Sequence, residues 1–244
     1  MKKRKFRIFG AVLIFVGTIL FVALGSISAW GDIEATFFNA ALKSETRLSS
    51  LRCPAIITPR DDAYVSARID NTSSRELEME TRTYVSDGYV TLMKEFITNF
   101  DLKPGESEVV RVPIGVDDAA YNMFVLVRMH QMKRGSLPYL NASCGVFSVN
   151  LPWIKGTQLI TLVVGLGLLL SVLGLFIWIK NIKPVQNGQS GIFRALVVFQ
   201  IVSFLNLLAG LFGLWALAVL LLVIWILLGI AIVNQHILKD TIGG

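Results

Sequence analysis

Imidazole and thiol chemistry in this chain rests on four side chains: His130, His236, Cys53 and Cys144. A metal centre or a nucleophile–base pair needs such groups gathered within a few ångströms. Two acidic pairs, Asp61-Asp62 and Asp117-Asp118, offer oxygen ligands of the kind calcium takes. Neither sits in the regular ligand spacing of an EF-hand loop, so both read as solvated turn residues. No glycine loop of the phosphate-cradling type is present in the polar portions. The expectation is a protein that is not an enzyme, with no catalytic, cofactor-binding or metal-ligating residue, no cofactor and no small-molecule substrate.

What remains is architecture. Apolar residues make up 54% of 244 residues and charged residues only 16%, with a mean hydropathy of +0.62, outside the balance of an ordinary soluble domain. The apolar residues fall in one N-terminal run and in a long block over 157–233, separated by a polar region. The formal charge of +6 is not a nucleic-acid patch, because residues 31–155 hold 14 Lys/Arg against 16 Asp/Glu. The positive excess flanks the apolar runs, in Lys2-Lys3-Arg4-Lys5-Phe6-Arg7 and in Lys180, Lys183 and Arg194. Cytoplasmic flanks of membrane spans carry this bias.

Residues 1–7 thus read as a cytoplasmic basic terminus and 8–30 as the first transmembrane helix, a signal anchor. The run is longer than the 7–15 residues of a signal-peptide core and long enough to cross a hydrocarbon layer of about 30 Å. Small residues at Ser26-Ile27-Ser28 leave cleavage after Ser28 open. With the basic end inside, residues 31–155 lie outside the plasma membrane, and both termini lie inside. His130 and His236 then stand on opposite sides, which removes any site that would use both.

Residues 31–50 form an exterior juxtamembrane segment, read as a linker packed on the domain. The other reading is a short helix with Ile33, Phe37, Phe38, Ala41 and Leu42 on one face. From 51 to 152 the pattern becomes short alternating runs. Val65, Ala67 and Ile69 alternate with Ser66 and Arg68, and Leu77, Met79 and Val85 face a core while Glu76, Glu78, Glu80 and Arg82 face water. Further strands are read at 89–96, 108–114, 123–132 and 142–149, with Met123, Val125, Val127 and Met129 sharing a face. About seven strands with turns between them indicate an antiparallel β-sandwich. A strand ending in Asp70-Asn71-Thr72, then Leu102-Lys103-Pro104-Gly105-Glu106-Ser107 leading into Val109-Val110-Arg111-Val112, resembles bacterial cell-surface Ig-like modules of the CARDB or fibronectin-III-like kind, over about 51–150. The resemblance implies a module for adhesion, spacing or subunit contact and transfers no functional residue.

Cys53 and Cys144 fall on the exterior, on what would be the first and last strands. An oxidising exterior favours a disulfide between them, with two buried thiols as the alternative. Asn71-Thr72-Ser73 and Asn141-Ala142-Ser143 match the glycosylation sequon, which matters only in a host that glycosylates.

Trp153 marks re-entry into the membrane. The second span, 157–179, carries Gly167, Ser171 and Gly174 on one small-residue face suited to helix packing, or scattered by membrane composition. A cytoplasmic loop covers 180–194. The uncharged residues that follow are too many for one span, and Gly210-Leu211-Phe212-Gly213 splits them into spans 195–212 and 214–234, with a tail at 235–244. Gln200, Ser203 and Asn206 share a face in the third span and need partners in lipid. The fold class is therefore a membrane protein of four transmembrane helices, with an all-β Ig-like sandwich between the first two. The expected function is a non-catalytic accessory or scaffold subunit whose sandwich contacts other membrane or surface proteins, or a surface polymer; the alternative is a channel or transporter component using the polar face of the third helix. Beyond the lipid bilayer and such proteins no partner is expected, and no nucleic acid.

Overall fold

A computed structural model describes residues 2–39, 46–134, 140–180 and 189–242. The chain divides into two compact units, one of Trp30–Leu159 and one of Met1–Ala29 with Ile160–Gly244.

Among the described residues of the first unit eight strands follow in order: β1 (Thr46–Arg47), β2 (Ile56–Ile57), β3 (Ala63–Asp70), β4 (Leu77–Asp87), β5 (Tyr89–Leu102), β6 (Ser107–Ile114), β7 (Phe124–Lys133) and β8 (Leu140–Ser148). The larger sheet runs β1-β8-β7-β4-β5, with β2 also on β8, and β3 pairs with β6 in a second sheet. The ladders β4–β5, β4–β7, β7–β8 and β3–β6 are antiparallel. β1 and β2 both run parallel to β8, so the region is mixed rather than purely antiparallel.

Period-2 alternation explains the pairing of the sheets. Val65, Ala67 and Ile69 of β3 and Val110, Val112 and Ile114 of β6 share one apolar cluster with Met79, Val85, Val125, Val127, Met129, Cys144 and Val146 of the larger sheet. Burying each Val, Ile or Met contributes about 1.5–3 kcal/mol against leaving it in water. Leu77, Met79 and Val85 face this cluster as expected. Met123 does not join that face: it precedes β7 and is exposed.

β7 is buried on both faces, because the end of helix α1 (Lys2–Phe37) lies on the outer side of the sheet. Residues 31–37 therefore continue the first helix and are not a linker. Their buried face is Gly31 and Ala35, extended by Phe38, a spacing of four and three. Phe37, expected on that face, is 75% exposed, and Ala41 and Leu42 lie outside the described residues. The face is built from small residues because the backbones touch: a Cβ on Gly31 would stand 3.0 Å from the Phe124 ring, and one on Gly145 would overlap the Gly31 carbonyl. The Asp32 carboxylate accepts the Gly145 N–H at 3.1 Å, a group that lies between the stretches of β8 paired by β1 and by β2.

Among the described residues four stretches are long and apolar enough to cross a membrane: Ile8–Phe37, Gly156–Lys180, Arg194–Leu211 and Trp215–Ile232. They belong to α1, α2 (Gly156–Lys180), α3 (Gln189–Leu211) and α4 (Trp215–Ile242). The helices α3 and α4 run past the ends expected from hydropathy, since flanking polar residues do not by themselves stop a helix. The turn between them falls where the glycines stand. Gly213 adopts φ +69°, and Leu214 N–H bonds the Ala209 carbonyl at 2.9 Å, the pattern of a Schellman stop.

Candidate functional site

Cys53 and Cys144 form the disulfide, with Cα atoms 6.5 Å apart. Cys144 lies on β8 as expected, whereas Cys53 lies in an irregular segment after the Arg52–Ser66 bridge, between β1 and β2. The bond closes a separation of 91 residues, a loop worth about 4–5 kcal/mol on the chain-entropy account.

The acidic pairs are not solvated turns throughout. Asp61 Oδ2 accepts from the Thr58 N–H at 2.8 Å, the Thr58 hydroxyl at 3.0 Å and the Gly156 N–H at 2.8 Å. It thereby caps the first turn of α2 from a distant loop. Burial pushes its carboxyl up, but these three bonds and the Lys155 charge outweigh it and hold the group below its ordinary value. In the same loop the one Thr58 hydroxyl hydrogen is shared between Asp61 and the Ile154 carbonyl, 2.7 Å away, and the Arg60 guanidinium donates to the Trp153 carbonyl at 2.7 Å. Asp118 is buried, accepts the Gly115 N–H at 2.7 Å and pairs with Lys94, which also reaches Asp87 at 3.3 Å. Hydrogen bonding by Asp118 raises the Lys94 amine above its usual value. Among the described residues no three His, Cys, Asp or Glu side chains converge on one point.

His130 neither borders the apolar cluster nor faces solvent. It is fully buried on the outer side of β7, edge-on to Tyr84 at 5.8 Å, and neither ring nitrogen has a hydrogen-bond partner. Burial, with the Arg128 charge beside it, lowers it to about 4. Arg128 itself is buried and donates to the Phe38 carbonyl at 2.7 Å. His236 lies near the end of α4, where side chains fall outside the described ones.

Of the two sequons, Asn71 is 1% exposed. Its amide donates to the Arg75 and Leu102 carbonyls at 2.8 Å each, and its oxygen accepts from Ser73. That nitrogen is committed to the turn. Asn141 is half-buried within β8, opposite His130.

The small and polar residues of the helices are gathered by α1. A Cβ on Gly10 would come within 2.9 Å of the Gly174 carbonyl, and one on Gly17 within 2.8 Å of the Gly167 carbonyl, with Ser171 against it too. Gly25 meets Asn206 and Gly210 in the same way. Gly10, Gly17 and Gly25 escape a reading of the sequence, because glycines in an apolar run look like membrane composition; their spacing of seven and eight residues was the available signal. Asn206 is fully buried and donates to the Ala218 carbonyl of α4 at 2.7 Å, and the Ser203 hydroxyl donates back to the Phe199 carbonyl at 2.7 Å. Gln200 is half-buried, and its side-chain oxygen has no partner.

Two surfaces of the β unit are open. β5 ends the larger sheet and carries exposed Tyr89, Leu92, Met93 and Ile97 along its 14 residues. An open cleft of about 640 Å³ at the far end of the sheets is lined by Arg47, Arg68, Asp70 and Lys133 among others.

No family model matches this chain, and no curated protein does. Among solved structures it is similar to the CARDB domain of a Pyrococcus furiosus protein, determined with di-metal ions, at 11% identity over 41% of this chain and 84% of that one, with a TM-score of 0.32. It is also similar to a Bacteroides uniformis beta-glucuronidase (16% identity, 37% of this chain, 12% of that one, TM-score 0.31). A third is a Pseudomonas fluorescens alkylpurine DNA glycosylase bound to DNA containing an abasic site analog (16%, 39%, 28% and 0.30). At these identities and scores nothing of activity, ligand or partner transfers.

Proposed function

We propose that this protein is a four-span integral membrane protein of the plasma membrane, whose Ig-like β-sandwich stands outside and holds another protein, as a non-catalytic accessory or scaffold subunit. The basic flanks set the orientation: both termini inside, with Trp30 and Trp153 at the outer interface. The observation that carries the contact role is β5. It is a long edge strand whose further edge is not paired in the sheet, and Leu92, Met93 and Ile97 on it are exposed. Edges of this kind accept a partner strand through main-chain hydrogen bonds, with side-chain pockets supplying selectivity.

The test is photo-cross-linking from Thr91 and Ile97 in native membranes, followed by mild detergent extraction. Adducts to one discrete protein from these positions, absent from Ser74, are the expected result. A chain recovered as a lone monomer, with no adduct from either site, defeats the reading.

The channel or transporter alternative would use the Gln200, Ser203 and Asn206 face. Ser203 and Asn206 are both committed to helix carbonyls, which supports a packing role for that face instead. Reconstituted protein that carries a solute or ion flux would revive the alternative.

A further inference from the structure

The two ends of the β unit differ in what they expose. At one end the described loops, 72–76 and 103–106, contain no large apolar side chain. At the other end Tyr89 is 60% exposed, Tyr121 68%, Met123 41%, Trp153 70% and Trp30 53%. These residues come from separate elements, Trp30 from α1, Tyr89 from the start of β5 and the others from loops, yet they are joined into one surface. Tyr121 N–H bonds the Gly88 carbonyl at 3.1 Å, Ser148 N–H bonds the Met123 carbonyl at 2.8 Å, and the Trp30 and Phe124 rings lie 6.1 Å apart. Thr58 and Arg60 bond the carbonyls of Ile154 and Trp153. Tyr121 and Asn122 hold φ values of +54° and +56°, a left-handed pair of the sort a loop adopts at a cost of about 1–3 kcal/mol per residue. Here it turns an aromatic ring outward instead of into the core.

The chain itself says what lies against this end. Both points at which it leaves the β unit for long apolar helices are here. Trp30 is inside α1, and Trp153 precedes the first residue of α2 by three positions, a reach of at most about 10 Å. We infer that Tyr89, Tyr121 and Met123, with Trp30 and Trp153, form a membrane-seated face, the loops of the β unit lying in the headgroup layer itself. The inference rests on the four-span reading above. Tyrosine and tryptophan suit this layer because an apolar ring body and a polar edge are both satisfied there. Arg60 and Lys155, beside Trp153, can extend their charges towards the phosphates while their stems stay among the rings. Of the carboxylates at this end, Asp61 caps α2, Asp87 pairs with Lys94 and Glu34 accepts the Trp30 indole N–H, while Asp62 and Asp117 stand beside Asp61 and Asp118.

The occupant is therefore lipid and not a second protein, and the test separates the two. The full chain, with its disulfide closed, is placed in phosphatidylcholine nanodiscs. Single variants Tyr121→Cys, Tyr89→Cys and Ser74→Cys carry a fluorophore, and a small fraction of lipid bears a headgroup nitroxide. The expected result is quenching severalfold stronger at positions 121 and 89 than at 74. Using two sites keeps the test alive should one variant not fold. Equal quenching at all three positions overturns the inference, as does protection of 121 and 89 from aqueous quencher without any quenching by the lipid nitroxide, which would place a protein there. Carbonate extraction is run beside it. Release by carbonate removes the four-span reading itself, whereas retention with unquenched Tyr121→Cys removes only the seated face.

Discussion

Gly31 in α1 and Gly145 in β8 meet backbone to backbone, with no side chain between them. The contact seats the last turns of α1 on the outer face of the sheet, and the Asp32–Gly145 hydrogen bond fixes its register. A Cβ at position 145 would overlap the Gly31 carbonyl, and main chain on both sides cannot yield as a flexible side chain does. Gly145→Val should therefore cost at least about 1–3 kcal/mol, the usual range for overpacking. Faster hydrogen exchange across 31–38 and along β8, with a lower melting midpoint, would report it. Gly165→Ala, where nothing lies within 4 Å, should leave both readings unchanged.

Asp61 gives a second expectation, with a defined pH direction. Its carboxyl titrates lower in the folded chain than in the unfolded one. The stabilisation it provides is thus present above the unfolded value, about 3.9, and is lost as pH falls through the lower folded value. Asp61→Ala removes the cap on Gly156 and the bonds from Thr58 at every pH. A loss of about 1 kcal/mol is expected from the cap, read as faster exchange at 156–159. Unchanged exchange there would show that the cap adds nothing.

How much of this could be read from the sequence depended on whether the signal lay in one element or in a meeting of two. Val65, Ala67 and Ile69 declare their face through alternation, because one side of β3 is core and the other is water. Gly213 declares the α3–α4 turn by conformation, and Asn206 declares its need for a partner because an amide among apolar side chains must find one. The outer face of β7 was hidden. Arg128 and His130 look like solvent-facing residues until α1 covers that side, and the covering face, Gly31 and Ala35, has no hydrophobic signal since its function is to be small. Cys53 was placed on a strand because cysteine position says nothing about local backbone.

The glycines of α1 lead to a third expectation. A Cβ on Gly25 would stand 2.6 Å from Asn206 Oδ1 and 2.7 Å from its carbonyl oxygen. Gly25→Leu should separate α1 from α3 and disturb the Asn206–Ala218 bond that holds α4, for about 1–3 kcal/mol. Asn206→Leu should cost less, of the order of 0.6 kcal/mol, the typical worth of a hydrogen bond between spans. Thermal unfolding in detergent, with cysteine cross-linking between positions 24 and 207, ranks the two. The reverse order would mean that hydrogen bonding and not close approach dominates this packing.

His130 provides the last expectation, and it runs against the usual effect of mutating a buried residue. Both ring nitrogens lie away from water with no partner, and an unsatisfied buried polar group costs about 1–3 kcal/mol. His130→Phe keeps a ring edge-on to Tyr84 and removes the nitrogens, so it should be neutral or stabilising by about 1–2 kcal/mol. The pH dependence separates this from simple repacking. In the unfolded chain the imidazole titrates near the ordinary value of about 6.5, whereas in the folded protein it titrates at about 4. Between those values the unfolded state binds the extra proton at this position, so His130 by itself lowers stability as pH drops through that window, against Asp32, which burial raises to about 6 and which acts in the opposite sense. In His130→Phe this part of the slope should vanish, while the loss from Asp61 at lower pH should remain. Denaturation of the reconstituted chain at about pH 7 and about pH 5 measures both. Equal slopes for wild type and variant across that interval would mean that His130 is protonated in the folded protein, with an acidic group or water reaching the face between α1 and β7.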